Sequence, residues 1–366
     1  MRVETLRVAT GEPGELRVVA EITEGKVVNA EVCSTTTPLS WETLVLEKPV
    51  EFAVVAAERV CRGCDASAGL AVAEAAEDAL GVDVPDDARR ARELLNMANV
   101  VKSHARTLAV ADLGVEEPAY ELVRAAKEIV RMVGGKPQHP PAVTVGGLAI
   151  ERIPVERVES VAKDAVETAE EVLDDVESAV DDLREDLEVE PRERPTELSV
   201  SDTYRGDVDR GAIEVLTPEE FYRMRTTRRI ATNLVAQYEG KPALVGPAAR
   251  RGGAEHPVEH HVARAEEIVS MLDGIADAAS GLDGSGEYRT DDVEAGSGEG
   301  AAAVEAPEGV LVVRLRLRNG RVDEAEMITP SNFKAALAGD LLPGLTVEEV
   351  ETVLRSLGLS GRCLTH

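Results

Sequence analysis

"ERVCRGCDASAG" (58–69) sets Cys61 and Cys64 three residues apart, just ahead of an alanine-rich run. "LGLSGRCLTH" (357–366) carries Cys363 and His366 at the same spacing. A C-x-x-C pair at a helix start places thiols where the helix dipole favours the thiolate. With Cys363 and His366 the two stretches offer Cys3His, the donor set of a closed tetrahedral zinc site. The pairs lie about 300 residues apart, an unusual separation for a zinc module. On these residues alone three readings stay open: structural zinc, a catalytic transition metal, or thiols that are unligated or redox-active.

Outward from the first pair the sequence is mostly helical. "SAGLAVAEAAEDALG" (67–81) is a predicted helix stopped by Gly81, and 85–110 is a second, with Leu94, Met97, Val101, His104 and Leu108 along one face. A third, 117–135, ends on two glycines. The longest pattern, 153–187, keeps a narrow stripe of Val, Ala and Leu between charges and reads as a bundle helix rather than an interaction arm. A capping box, Thr217 to Glu220, opens a short helix, and 255–281 is another. His104 reads as a hydrogen-bonded core histidine, and His260 and His261 as part of a solvated helix start. Residues 282–302, rich in Gly, Ser and Asp, read as a surface loop. The β signals lie at both ends of the chain. "LRVVAEI" (16–22) and "VVNAEV" (27–32) flank a turn, and 309–328 alternates around Asn319-Gly320, a strong hairpin signal. Cys33, after a strand, reads as a small buried apolar residue. A last helix, 346–357, leads to Cys363.

The expected fold class is α+β, mainly α: a long-helix bundle core with small β-hairpins or sheets from the N- and C-terminal parts. The expected organisation is one domain over 1–366, with β elements at 1–35 and 309–328 and helical core at 36–281 and 331–358. Among 366 residues 43% are apolar but only 2% aromatic, so burial falls to Val, Leu and Ala. A net charge of −29 argues against nucleic acid or an anionic membrane as partner. It suits a solvated surface in a salty or hot cytoplasm. No signal-peptide core and no long apolar run is present, so a cytoplasmic location is expected.

The order of these pieces resembles the large subunit of the nickel-iron hydrogenases, nearest to the alpha subunit of the archaeal deazaflavin-reducing branch. The resemblance runs through "ERVCRGCDASAGL", "VVKSHA" (100–105), "HPPAVTVGG" (139–147), "LVGPAAR" (244–250), "HHVARAEEI" (260–268), "GEGAAAVEAPEGVL" (298–311), "ITPSNF" (328–333) and the tail. In that family two C-x-x-C pairs hold nickel through four thiolates, and the second cysteine of each pair bridges to iron. The resemblance puts Cys64 and Cys363 at the bridging positions and Cys61 at a terminal one. The other terminal position falls on Ser360, where the family has cysteine or selenocysteine. A serine hydroxyl is hard, poorly ionised and a weak ligand for a soft metal.

Other departures accompany Ser360. The arginine of the family's E-A-P-R-G motif is Glu308 here, a carboxylate able to bind a metal or relay protons. Ala68 stands for a histidine, and Arg62 for the glycine after the first cysteine. Glu12, in "TGEPGEL", resembles the family's proton-relay glutamate. Glu42, in "SWETL", matches a glutamate that holds a separate magnesium or iron ion near the terminal histidine, here His366. The resemblance therefore implies a homologue that binds nickel, or a nickel-iron pair, through three cysteines and lacks ordinary hydrogen turnover, with zinc as the alternative metal. Two alternatives follow: an active hydrogen-dependent or other redox oxidoreductase using Glu308 or Glu12, and a structural subunit of an electron-transfer complex. The implied partner is an iron-sulfur small subunit, or a second copy of the chain.

Overall fold

The computed structural model describes residues 2–8, 16–34, 40–61, 63–187, 189, 195–217, 220, 234–290, 293–360 and 363. The chain opens with an antiparallel sheet of β1 (Arg2–Val8), β2 (Leu16–Thr23) and β3 (Lys26–Ser34). The predicted hairpin is β2–β3, turned through Glu24 and Gly25, both at positive φ. β1 adds an outer strand along β2. Cys33 is buried in β3, and its burial first, then Glu31, pushes the thiol up to about 11.

Five helices follow: α1 (Trp41–Val45), α2 (Val50–Val60), α3 (Asp65–Leu80), α4 (Asp86–Leu108) and α5 (Glu116–Gly134). α3 is buried from Asp65 through Glu77 because neighbours enclose it on all sides. Its alanines let those backbones come close, which a chain so poor in aromatic residues needs. In α4, Leu94, Leu95, Val100, Val101 and Leu108 are all buried, each contributing on the order of 2 kcal/mol. A small pair, β4 (Val143–Thr144) and β5 (Gly147–Leu148), leads into α6 (Val155–Asp186). Its 32 residues span about 48 Å. Val158, Ala162, Ala169, Val172, Val176 and Val180 are buried, and the helix packs on α5 and on α8, described below. This is the bundle arrangement the stripe implies.

Two short strand pairings and two helices follow in the middle of the chain. β6 (Thr196–Glu197) pairs in parallel with β9 (Ala243–Leu244), and β7 (Ile213–Leu216) pairs with β8 (Val235–Tyr238). Thr217 and Glu220 exchange the capping hydrogen bonds, but the helix they announce lies outside the described residues. α7 (Pro247–Arg250) and α8 (His260–Ser280) follow.

The last sheet is antiparallel: β10 (Gly298–Ala306), β11 (Gly309–Arg318) and β12 (Arg321–Ile328). The β11–β12 turn is Asn319-Gly320, both at positive φ as a type I′ turn requires. β10 corrects the loop reading of 282–302, whose last five residues are strand. The glycines that suggested a loop serve packing instead: a Cβ on Gly298 or Gly300 would overlap the Ala79 backbone of α3. α9 (Pro330–Leu341) packs against β3, and α10 (Val347–Leu357) carries the predicted Thr346–Glu349 capping box. The fold is α+β and mainly α, with the helical bundle between the two three-stranded sheets in chain order. Among the described residues, no helix is long and apolar enough to cross a membrane.

Candidate metal centre

Two helix ends and the C-terminal tail build the site. α2 closes at Cys61, whose N–H reaches Ala57 O at 3.1 Å, and Cys64 is the residue that caps α3. The turn between them needs Gly63, at φ 93°, with Ser103 Oγ and Arg106 Nη2 each 3.3 Å from where a Cβ would sit. The third sulfur comes from a tail pinned at several points. Gly358 ends α10 in the left-handed region, Leu359 is buried, and Thr329 Oγ1 donates to Cys363 O at 2.6 Å. Cys363 N donates to Ser360 Oγ at 3.3 Å.

All three sulfurs lie within 4.8 Å of one another and are buried. Cys61 and Cys64 are joined as a disulfide, and Cys363 Sγ is 3.9 Å from Cys61 Sγ, across 302 residues of sequence. Thiolates 2.3 Å from a tetrahedral metal stand about 3.8 Å apart. With the first pair reduced, the three sulfurs therefore fit one soft metal ion. Beside them is a cavity of about 20 Å³, room for roughly one water-sized group, walled by Cys64, Cys363, Ser360, Glu308, Ser331 and Gly358.

Glu308 faces this cavity from the turn between β10 and β11, and it is not alone. Arg264 of α8 holds it with two hydrogen bonds, Nε to Oε1 at 3.1 Å and Nη2 to Oε2 at 2.8 Å. Lys334 of α9 also donates to Oε2, and to Leu357 O at 2.6 Å. Burial alone would raise the Glu308 carboxyl, but Arg264 and Lys334 outweigh it and hold the group well below the carboxylate range. Burial brings Lys334 down to about 8 against the opposing pull of Glu308.

Behind this trio lies a second buried network. His104 of α4 donates Nε2–H to Glu267 Oε2 at 2.7 Å, since a carboxylate only accepts; its Nδ1 is 3.8 Å from Glu308 Oε1. Burial, exceeding the pull of the carboxylates, lowers the imidazole and keeps it neutral. Arg250 of α7 binds Glu267 through Nε and Nη2, both at 2.6 Å, and reaches Glu305 Oε2 at 2.5 Å. Burial acts to raise Glu267, but Arg250 overcomes it and brings the carboxyl to about 2.

The structure thus brings together Cys61, Cys64, Cys363, Ser360 and Glu308. Glu12 and His366, like Arg62, lie outside the described residues. Glu42 is half-buried on α1. His104 is the buried, hydrogen-bonded core residue expected of it. His260 and His261 correct the solvated reading: both are buried, because α10 closes over the helix start, with Ser356 Oγ donating to Pro257 O at 2.8 Å. Burial and then Arg264 lower His261 to about 3, so it is neutral. The sequence reading missed Arg264 and Lys334. The one available signal was "NFKAAL", a lysine within an apolar helical face.

The family model described as nickel-dependent hydrogenase matches residues 40–107. The chain is 30% identical over 378 residues to the coenzyme F420 hydrogenase subunit alpha of Methanothermobacter thermautotrophicus, covering 97% of this chain and 92% of that one. It is 26% identical to the Methanocaldococcus jannaschii protein of the same name, covering 98% and 92%, and 25% identical to sulfhydrogenase 1 subunit alpha of Pyrococcus furiosus, covering 91% and 85%. In fold it resembles the solved [NiFeSe]-hydrogenase of Dm. baculatum, with a TM-score of 0.87 at 18% identity over 100% of both chains. The Ni-Fe-Se hydrogenase of D. vulgaris Hildenborough gives 0.85 at 17%, again over 100% of both. Together with the sulfur site shared by its two ends, these relations make the chain a member of the large-subunit family of nickel-dependent hydrogenases.

Proposed function

We propose that Cys61, Cys64 and Cys363, reduced, are the protein ligands of nickel, alone or paired with iron, in a site altered away from ordinary hydrogen turnover. The convergence of three buried sulfurs from opposite ends of the chain carries this reading. A nickel centre, when bound, supplies a Lewis acid and a redox change. The chain's own residues do the rest. Cys64, at the α3 N-terminus, is favoured as thiolate by the helix dipole. Ser360 puts a hydroxyl rather than a fourth thiolate on the cavity. Glu308, pinned by two cations, acts as a fixed counter-charge and a poor proton acceptor at neutral pH. Lys334, at about 8, is the neighbouring group suited to hold or release a proton there.

The test is metal analysis of anaerobically reduced native protein. One nickel per chain, lost in Cys64→Ala, is the expected result; a metal-free or zinc-loaded native protein overturns the proposal. Hydrogen-dependent dye reduction is expected to be silent in the native chain. Turnover there would favour the active-oxidoreductase alternative, and Ser360→Cys tests whether that position silences it.

We include a second ion, magnesium or iron, held by Glu42 and His366. We also propose that the chain acts as one domain in a reducing cytoplasm, beside an iron-sulfur small subunit. Exposed Phe52 and Val55, one turn apart on the helix that ends at Cys61, support a partner at that face. Recovery of a free monomer from native extract would count against it. A second reading, a metal-free redox dithiol, is favoured by the joined Cys61 and Cys64 with Cys363 alongside. It requires a reversible two-thiol change with no metal bound, which thiol titration reads directly.

A further inference from the structure

On the far side of Gly63 from the sulfur cavity is a second hollow, of about 320 Å³, the lower end of small-ligand sites. It shares Gly63 and Ser103 with the sulfur cavity, so one thin wall separates the two. Its other lining groups include Asp65, Lys102, Arg106, Lys127 and His139. Of these, Lys102, Arg106 and Lys127 are cationic and Asp65 alone is anionic, in a chain with 69 acidic and 40 basic residues.

The floor is built. Lys102 Nζ pairs with Asp65 Oδ1 at 2.8 Å, and the His139 N–H donates to Asp65 Oδ2 at 2.8 Å. His139 is held at φ 49°, and its Nδ1 donates to Glu58 O at 2.7 Å, leaving the other ring nitrogen free of that bond. Asp65 is thus consumed by Lys102 and His139 and has little left for the wall.

Lys127 is the informative residue. Cations with buried side chains have carboxylate partners: Arg92 has Glu77, Arg250 has Glu267 and Glu305, and Arg264 and Lys334 have Glu308. Lys127 is half-buried and makes no hydrogen bond or ion pair with any described residue. It lies close enough to Lys102, as does Arg106, for their charges to oppose its protonation. A half-buried cation beside like charges is a favourable place for an anion, which offsets their mutual repulsion.

We propose that this hollow binds a small oxyanion of the phosphate or carboxylate type, held chiefly by Lys127. The site goes beyond the metal reading and stands whether or not the sulfurs take a metal. An anion there sits one residue layer from the Cys61–Cys64 turn. It offsets the positive field that otherwise favours thiolate in that pair.

The test is isothermal titration of reduced full-length protein at low ionic strength with inorganic phosphate, and separately with acetate. Saturable binding of either anion is expected, and the stronger binder identifies the type. Lys127→Ala is expected to weaken it several-fold and Lys127→Glu about tenfold or more, by charge reversal. Lys163→Ala, at an exposed pair with Glu159 on α6, should leave it unchanged. Circular dichroism checks that each variant is folded. Absence of saturable binding by both anions overturns the proposal, as does undiminished affinity in folded Lys127→Ala or Lys127→Glu.

Discussion

Glu58, one turn before Cys61, has a buried carboxyl with neither oxygen hydrogen-bonded. Burial and then Asp65 push it up to about 8 from 4.5, against Arg59 and Lys102. The folded state thus binds the proton more tightly than the unfolded chain between those values, so stability is lost as pH rises across that window. Glu58→Gln keeps the neutral shape and removes the titration. Urea midpoints should show the variant gaining on the native chain between pH 5.5 and 8, by on the order of 3 kcal/mol. Glu308→Gln should behave in the opposite sense. It strands Arg264 and Lys334 in the interior and is expected to cost about 3–5 kcal/mol, read from the same unfolding curves. At this scale the cysteines were legible because their chemistry declares itself through spacing alone. The partners of Glu308 were not, because they come from positions 104, 264 and 334, on three helices that only the folded chain assembles.

Helix limits and the Asn319-Gly320 hairpin were largely readable, because caps, glycine stops and periodicity are local signals. The N-terminal part of β10 was hidden for a related reason: glycine signals a turn by default, yet here it lets a strand lie on the end of α3. Element ends also position the chemistry. Gly358 closes α10 at φ 66°, and a Cβ there would overlap both Arg264 and Glu308. Gly358→Ala combines an unfavourable backbone with that overlap, so about 2 kcal/mol or more should be lost in urea unfolding. Because the tail starts at this residue, nickel retention after gel filtration should fall as well. Thr346→Ala, a cap remote from the sulfurs, should cost about 1 kcal/mol with metal retention unchanged.

Over the whole molecule, the excess of 69 acidic over 40 basic residues makes the compact state repel itself. Raising salt from about 20 mM to about 500 mM shortens the screening length several-fold and should raise the melting temperature. Adding nickel to reduced apoprotein should raise it further, with the logarithm of ligand concentration over dissociation constant, and Cys363→Ala should abolish that increment. The three sulfurs also have a consequence in time. A ribosome releases Cys61 and Cys64 early in synthesis, whereas Cys363 emerges 302 residues after Cys61. No growing chain short of residue 363 can close the three-sulfur set, so metal capture through all three sulfurs marks a polypeptide translated at least that far. A nonsense truncation anywhere between the pairs would leave a soft two-thiol site that ordinary cellular zinc or oxidation can claim.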